Sequence, residues 1–356
     1  MSKDSNDLNV SVIVPTYNER DNIPELIERI DKAMRSAGLS YEVIIVDDNS
    51  PDGTAEVARD LSSKYPIKVI KRPGKMGLSS AVVDGLKIAR ANVIAVMDAD
   101  LQHPPEVLPE LYIRIVNGCD IAIASRYVKG GSIKEWGLIR RIISKVATIL
   151  AHIILPCTRG IKDVMSGYFM FRRDVIKGVK LNPKGFKILL EILAKGRHDN
   201  VCEVPYEFGI RKYGKSKLSS KEIINYVIHL IKLSPPYIKF AIVGASGTIV
   251  NLSIVALLKY VIGVIHEVAA AVGIEVSIVN NFILNDMWTF RGRRRGSRFV
   301  RLLKFHASSF AGILTQYAVS IATYHLITHE SVSSQFIGIL AGFIINYLIS
   351  KSYVWR

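Results

Sequence analysis

Two aspartates one residue apart are the first feature of this sequence that could do chemistry. Asp98 and Asp100 follow the apolar run Val93 to Met97, and Gln102 comes two residues later. On an extended chain, residues two apart point to the same side, so these three oxygen-bearing side chains are expected to converge. Carboxylate and amide oxygens suit Mg²⁺ or Mn²⁺, and such an ion usually completes its shell with substrate phosphates. The segment therefore predicts a divalent metal site.

Two further predicted strands also end in polar side chains. The run Val10 to Pro15 leads to Tyr17 and Glu19, and the run ending at Val46 leads to Asp48. In parallel α/β sheets, ligands bind at the carboxyl ends of the strands, where these groups would meet. This placement favours a ligand site over an acidic surface loop.

The segments between these strands predict the fold. Helical spacing of apolar residues covers 22–38, 54–65 and 78–91, and strands alternate with these helices. We predict an α/β fold with a doubly wound, mostly parallel sheet. Neither G-x-G-x-x-G after the first strand nor G-x-x-x-x-G-K-[ST] occurs, which argues against a nicotinamide dehydrogenase and a P-loop enzyme.

The chain is strongly basic, with a formal net charge of +16. "GIRKYGKSKL", residues 209–218, is punctuated by glycine and is typical of a loop that grips phosphates. "KEWGLIRRIISK", residues 134–145, places cations beside apolar residues. Arginine makes bidentate contacts with phosphate and lysine acts as a point charge, so both segments can offset phosphate charge.

The last third of the chain is predicted to span a membrane. Four apolar segments, about 237–259, 264–287, 302–327 and 332–353, are each long enough to cross a bilayer. The Arg-rich loop "RGRRRGSRFVRLLK" joins the second and third, whereas the other two links contain almost no Arg or Lys. The positive-inside rule therefore places the preceding domain, this loop and the C-terminus in the cytoplasm. Membrane attraction accounts for much of the charge, and no nucleic-acid partner is predicted.

An amphipathic linker is predicted between the two domains, at residues 221–235. Its apolar face could pack on the first domain or lie in the membrane interface, and residues 136–155 have a similar character. The predicted apolar face consists of Ile223, Ile224, Val227, Ile228 and Ile231, with Glu222, Asn225 and His229 away from it.

The membrane half also contains a weak internal repeat, with matching residues 65 positions apart. Two helical hairpins of the same orientation would give this pattern. The matched pairs are Phe240 with Phe305, Gly247 with Gly312, Asn281 with Asn346, Phe282 with Tyr347, Trp288 with Tyr353, and Arg291 with Arg356.

The three cysteines are scattered through the sequence. Cys119, Cys157 and Cys202 are odd in number and lack the spacing of a metal site. We expect reduced, buried thiols.

Several ordered motifs together resemble the family 2 glycosyltransferases, and more narrowly the dolichyl-phosphate mannose synthase group. The resemblance covers about residues 8–220 and implies a nucleotide-sugar-binding GT-A fold that inverts the anomeric centre. Residues 236–356 resemble GtrA-like four-helix membrane domains, so we expect catalytic domain 1–220, linker 221–235 and membrane domain 236–356. The catalytic motifs are "VIVPTYNE", "VDDNSPDGT", "GLSSAVVDGLKIA", "MDADLQHPPE", "ASRY", "MSGYFMFRRDV" and "LNPKGFKILLEIL".

The resemblance also implies roles for individual residues, with Asp98, Asp100 and Arg126 as the catalytic set. The nucleotide sugar would be bound by Pro15, Tyr17, Glu19, Val46, Asp48, Asp98, Ala99, Asp100, Arg211 and Lys217. The metal, Mg²⁺ or Mn²⁺, would be held by Asp98, Asp100 and Gln102, and the acceptor phosphate by Arg126, Arg140 and Ser144.

The expected reaction is transfer of mannose from GDP-mannose to dolichyl or another polyprenyl phosphate, as a step of protein glycosylation. A lipid monophosphate is already anionic near neutral pH, so no general base is required. The partners are then GDP-mannose, the lipid phosphate and membrane lipid.

Three alternatives are kept beside this reaction. One is another nucleotide sugar such as UDP-glucose on the same acceptor, since Val46 and Asp48 alone do not distinguish guanine from uracil. A processive polysaccharide synthase would carry a Q-x-x-R-W motif, which does not occur. A lipid-carrier flippase with a regulatory soluble domain is disfavoured by the intact Asp98, Asp100, Arg126 and Arg211.

Overall fold

The computed structural model describes residues 8–182, 187–210, 220–264, 266–328 and 331–355. The chain divides into two compact units, Met1–Leu233 and Ser234–Arg356.

The first unit is built on a seven-stranded sheet with the order β3-β2-β1-β4-β7-β5-β8. All neighbouring strands are parallel except β7, which runs antiparallel to β4 and β5. The predicted α/β fold with a mostly parallel sheet is confirmed. The strands are β1 Val10–Thr16, β2 Tyr41–Asp47, β3 Ile67–Lys71, β4 Val93–Val96, β5 Ile121–Ser125, β6 Ser132–Ile133, β7 Phe169–Arg172, β8 Val201–Pro205 and β9 Glu207–Phe208, with β6 and β9 in a separate pair.

Helices cover both faces of this sheet, which is why its central strands are continuously apolar. Val12 and Val14 of β1 pack on one face, whereas Ile13 between them packs on the other. Helices α1 and α4 contribute to the first core and α3, α6 and α7 to the second. The helices are α1 Ile23–Ser36, α2 Thr54–Leu61, α3 Leu78–Ile88, α4 Leu108–Val116, α5 Leu138–Ile154, α6 Ile188–Lys195 and α7 Ser220–Leu233.

A disulfide joins Cys119 and Cys202, so the expectation of reduced thiols was wrong for these two residues. Cys202 lies in β8, paired with Ala122 of β5, and Cys119 stands just before β5. The two Cα atoms lie 6.0 Å apart although the residues are 83 positions apart in sequence. Only the pairing of β5 with β8 brings them together. Cys157, the free cysteine among the described residues, is exposed, so its expected burial was also wrong.

The second unit consists of long helices that end in π-helical turns. Within the described residues, one segment, Pro236–Ile254, is both long and apolar enough to count as a candidate membrane span by composition. The helices are α8 Pro236–Ala256, α9 His266–Leu284, α10 Arg298–Thr323 and α11 Ser331–Ile349, and the π turns are Leu257–Val261, Asn285–Thr289, Tyr324–Thr328 and Ser350–Val354.

The predicted internal repeat is confirmed by equivalent close packing in the two hairpins. Gly247 of α8 packs on Asn281 of α9, where a Cβ at Gly247 would stand 2.2 Å from the Asn281 Oδ1. Gly312 of α10 packs in the same way on Asn346 of α11, with its Cβ position 3.0 Å from the Asn346 Cβ. Each glycine therefore lets two helices approach closely at the matched asparagine.

Aromatic residues at matched positions of the two hairpins make equivalent contacts in one cluster. Phe290 and Trp355, equivalent under the repeat, stack with ring centres 4.4 Å apart. Phe240 contacts Phe290 at 6.3 Å, and its equivalent Phe305 contacts Trp355 at 5.5 Å. Equivalent residues of the two hairpins, Phe290 and Trp355, therefore meet each other directly.

Candidate active site

A cavity of about 740 Å³ opens in the first unit at the carboxyl ends of β1, β2 and β4. Most of the predicted site residues line it, including members of all four predicted groups: catalytic, nucleotide-sugar, metal and acceptor-phosphate. The predicted residues that line this cavity are Pro15, Tyr17, Glu19, Asp48, Asp98, Ala99, Asp100, Gln102, Arg126, Arg140 and Ser144.

Three predicted residues are not part of this lining. Val46 is fully buried and packs in the core beneath the sheet, against Ile13 and Ile44. Its side chain does not line the cavity, because the alternation along β2 turns it toward the helices, and its contact with the nucleotide sugar stays a prediction. Arg211 and Lys217 lie outside the described residues.

The acidic pair lies on a turn rather than on an extended strand. Strand β4 ends at Val96, and Leu101 adopts a left-handed conformation with φ of 61°. The backbone N–H of Gln102 donates to the Asp100 carboxylate, at 3.2 Å. The predicted convergence of Asp98, Asp100 and Gln102 on one cavity thus comes from this turn and not from strand alternation.

The chemistry of this turn fits a divalent ion. Asp98, Asp100 and Gln102 all line the cavity, and the Gln102 amide nitrogen donates to the Gly209 carbonyl at 3.0 Å. This hydrogen bond assigns the amide, so that its Oε1 is the atom able to bind a cation. No cluster of three His, Cys, Asp or Glu side chains suited to a metal occurs in the described part of the chain. Two carboxylates and an amide oxygen are nevertheless a suitable partial shell for Mg²⁺ or Mn²⁺.

His103 fixes the start of this turn. Its Nδ1 accepts a hydrogen bond from the Asp98 backbone N–H at 3.0 Å, and its ring stacks on Tyr168. Burial lowers the pKa of His103 to about 4, so the imidazole is neutral at physiological pH. A neutral ring with an acceptor Nδ1 can hold the Asp98 backbone without adding positive charge beside the carboxylates.

Asp48 acts on the neighbouring loop. Its carboxylate accepts hydrogen bonds from the Arg72 guanidinium and from the backbone N–H groups of Met76 and Gly77, at 2.7 to 3.0 Å. The loop holds the Lys75 ammonium 3.9 Å from the centre of the Tyr17 ring. Asp48 therefore shapes the predicted nucleotide end of the cavity by fixing this loop.

Arg126 is held in the cavity wall by a carboxylate that was not predicted. Asp163 accepts from the Arg126 Nε and Nη2 atoms, both at 2.7 Å, and from the Arg126 backbone N–H at 2.9 Å. Burial would lower the pKa of Arg126, but the hydrogen bonds and charge of Asp163 outweigh it and raise the pKa. Because Trp136 and Phe208 also lie against the guanidinium, Arg126 is a rigid cation.

Helix α5 presents polar side chains to the cavity and exposes a row of apolar side chains on its outer side. Arg140 and Ser144 line the cavity, and the Tyr127 hydroxyl donates to the Ser144 Oγ at 2.9 Å. Other apolar residues of α5, Leu150, Ala151 and Ile154, pack on the second core, so the helix carries apolar side chains on its inner side as well. The exposed apolar residues of α5 are Leu138, Ile139, Ile142, Val146, Ile149 and Ile153.

Helix α7 is arranged in the same way. Glu222 and Asn225 line the cavity, whereas Ile223, Ile224 and Ile228 are exposed. The helix is anchored by Tyr226, whose hydroxyl donates to the Ala147 carbonyl of α5 at 2.7 Å. Two residues of the predicted polar face, Glu222 and Asn225, are therefore turned toward the site, whereas His229 is buried and is not part of the cavity lining.

Comparison with known proteins shows the family to which this chain belongs. A glycosyl transferase family 2 model matches residues 11–179, and a GtrA/DPMS transmembrane domain model matches residues 239–355. The chain is 49% identical over 354 residues to the dolichol-phosphate mannosyltransferase of Pyrococcus furiosus, covering 98% of this chain and 99% of that relative. The chain belongs to the dolichol-phosphate mannosyltransferase family. The family and enzyme class predicted from the motifs are thereby confirmed.

Other relatives agree with this assignment. The dolichol-phosphate mannosyltransferase of Saccharomyces cerevisiae is 40% identical over 234 residues, which cover 63% of this chain and 86% of that relative. A solved mycobacterial protein superimposes with a TM-score of 0.50 at 19% identity, covering 65% of this chain and 75% of the other. The latter similarity concerns the fold alone.

Lys187 also lines the cavity, although it was not among the site residues predicted from the sequence. Its Nζ donates to the Met165 carbonyl at 2.8 Å, and Asp98, Arg126 and Arg140 are all near enough to act on it electrostatically. Burial and the charge of Arg126 lower the pKa of Lys187 to about 8. The motif "GFK" holds this lysine, but nothing local indicates that its side chain turns toward the acidic turn.

Proposed function

We propose that this protein transfers mannose from GDP-mannose to dolichyl or another polyprenyl phosphate, with inversion at the anomeric carbon. The observation that carries the proposal is a single cavity lined by the acidic turn and by the cations Arg126, Arg140 and Lys187. The acids suit a metal-bound donor diphosphate, and the cations suit an acceptor phosphate. The full-length similarity to the Pyrococcus furiosus relative supports the same sugar and lipid class.

The residues of the acidic turn would serve the donor. Asp98, Asp100 and Gln102 would hold Mg²⁺ or Mn²⁺, which supplies positive charge for the departing diphosphate. The loop that Asp48 fixes, together with Tyr17 and Glu19, would hold the nucleoside end. His103 would keep the turn in place as a neutral ring.

The cationic residues would serve the acceptor. A phosphate oxygen of the lipid attacks C1 of mannose, the bond from C1 to the diphosphate oxygen breaks, and its electron pair leaves with GDP. Arg126, Arg140 and Ser144 would orient the attacking phosphate. No proton has to be removed because the phosphate monoester is already anionic, so the site needs cations rather than a general base.

The outward apolar faces of α5 and α7 support delivery of the acceptor from a bilayer. Both helices expose isoleucine outward and present polar groups to the cavity. Such helices bind in the membrane interface through their apolar face. We place them against the cytoplasmic leaflet, since the Arg-rich loop 291–304 favours a cytoplasmic position.

The proposal is tested by incubating membranes that contain the full chain with labelled GDP-mannose and dolichyl phosphate, with and without EDTA. Label should enter the lipid fraction, and EDTA should abolish the transfer until Mg²⁺ or Mn²⁺ is restored. Labelled UDP-glucose, tested under the same conditions, is the control donor. Equal transfer from UDP-glucose would overturn the donor assignment, and unchanged transfer in EDTA would overturn the metal.

A further inference from the structure

A second cavity lies entirely within the second unit and plays no part in the proposed reaction. It has a volume of about 730 Å³ and is lined by three cations, Arg293, Arg295 and Lys351, with Gly292, Leu348, Ser352 and Trp355. We call it the basic pocket. No carboxylate belongs to the described lining, so its charge is strongly positive.

The nearest buried acid does not neutralise this charge. Asp286 accepts a hydrogen bond from the Trp355 indole Nε1 at 3.0 Å and is not part of the described lining of the basic pocket. Its carboxylate is also held by the Arg301 Nε and Nη2 atoms, at 2.9 and 3.2 Å. Because Arg301 already balances Asp286, the three cations of the basic pocket remain to attract an anion.

The place of the basic pocket in the helical unit indicates the kind of anion. Leu348 lies in the last turn of α11 and Lys351 in the π turn after it, while Arg293 and Arg295 belong to the loop between α9 and α10. A 19-residue helix such as α11 is about 28 Å long, close to the thickness of a bilayer core. In a transmembrane unit the end of this helix therefore lies at the level of the lipid headgroups.

The lining of the basic pocket combines cationic groups with an apolar side chain, as the headgroup and acyl chain of a lipid require. The guanidinium and ammonium groups can contact phosphate oxygens, and Leu348, half exposed, lies one turn inside them on α11. A free phosphate ion would leave most of a cavity of about 730 Å³ unfilled.

We propose that the basic pocket binds the headgroup phosphate of an anionic phospholipid, with an acyl chain along Leu348. This site is separate from the acceptor site of the first unit. It does not depend on the proposed mannose transfer, because it rests on the transmembrane unit alone. Basic pockets between helix ends are a general means of holding such headgroups.

The loop itself offers a charge-matched control. Arg291 and Arg294 stand in the same exposed segment as Arg293 and Arg295 but do not line the basic pocket. The double variants Arg293→Gln/Arg295→Gln and Arg291→Gln/Arg294→Gln remove the same charge from the same loop. General attraction to an anionic surface should treat them alike, whereas a specific site should not.

The experiment is native mass spectrometry of the purified full chain, titrated in detergent with phosphatidylglycerol, phosphatidylcholine or inorganic phosphate. Wild type and Arg291→Gln/Arg294→Gln should retain phosphatidylglycerol over phosphatidylcholine. Arg293→Gln/Arg295→Gln should lose that retention by about tenfold. Melting temperatures of both variants establish that each is folded, and Lys351→Gln should weaken retention independently of the loop.

Two results would overturn the proposal. Equal loss in both double variants would mean that only the net charge of the loop matters. If inorganic phosphate displaces phosphatidylglycerol at equal concentration, the basic pocket is a site for a soluble anion and not for a lipid.

Discussion

The two units use buried charge in different ways. In the first unit, the ion pair of Arg126 with Asp163 forms part of a cavity wall, so charge is fixed where a ligand can meet it. In the second unit, Asp286 is enclosed by Arg301 and Trp355 and ties together the ends of α9, α10 and the C-terminal segment. The same kind of interaction therefore preorganises a site in one unit and holds helix ends together in the other.

The largest expected effect is a loss of mannose transfer when an aspartate of the acidic turn, but not one on the surface, is replaced. Asp100→Ala should lower mannose transfer by about a thousandfold, since it removes a carboxylate from the proposed metal shell. Transfer of label to the lipid measures the loss, and Asp60→Ala, an exposed aspartate on α2, is the control. A near-normal rate for Asp100→Ala would remove this residue from the chemistry.

The buried pair in the cavity wall should couple stability with activity. Asp163→Asn leaves Arg126 without its carboxylate and should cost about 3–5 kcal/mol of folding free energy, together with most of the transfer. Arg126→Gln/Asp163→Asn removes both charges and should recover stability but not transfer. Urea unfolding and acceptor kinetics measure the two quantities, and recovered transfer in the double variant would contradict the positioning of Arg126.

Lys187 provides a test between a ligand-binding and a structural cation. Lys187→Met should raise the acceptor KM by about ten- to a hundredfold, because a charge-assisted contact to phosphate is worth about 1.5–3 kcal/mol. Lys187→Arg should restore part of that loss, and the control Lys32→Met removes an exposed lysine on α1. An unchanged acceptor KM in Lys187→Met would show that the lysine only supports the Met165 backbone.

The smallest effect concerns the repeat in the second unit. Gly247→Ala should destabilise this unit by about 1–3 kcal/mol through overpacking, since its Cβ would stand 2.2 Å from the Asn281 Oδ1. Gly312→Ala, with its nearest contact at 3.0 Å, should cost less. Thermal unfolding of the full chain measures both, and an equal cost would mean that the two hairpins are more alike than their packing indicates.

The internal repeat was recognisable in the sequence, but its physical meaning was not. The repeat was visible as pairs of identical residues such as Gly247 with Gly312. Its physical content, a glycine packed against an asparagine in each hairpin, required the helices to be placed. The stack of Phe290 on Trp355 is likewise not a sequence pattern, since it depends on how the two hairpins meet.

Local patterns were sufficient for the fold class and most of the site. Alternating strand and helix periodicity predicts the parallel sheet, and the sheet brings strand ends such as Tyr17, Asp48 and Asp98 to one edge. Those predictions hold because short-range sequence determines strand and helix periodicity, and alternating strands and helices favour a parallel sheet. The motifs also identified the family, through their order along the chain.

Tertiary packing alone decided the remaining features. It turned Val46 into the core, paired Arg126 with Asp163, joined Cys119 to Cys202, and brought Lys187 toward the acidic turn. Each depends on residues far apart in sequence or on which way a helix or strand faces. Hydrophobic periodicity describes how polar and apolar faces are divided, but the neighbouring elements determine whether a polar face such as that of α5 meets water or a cavity.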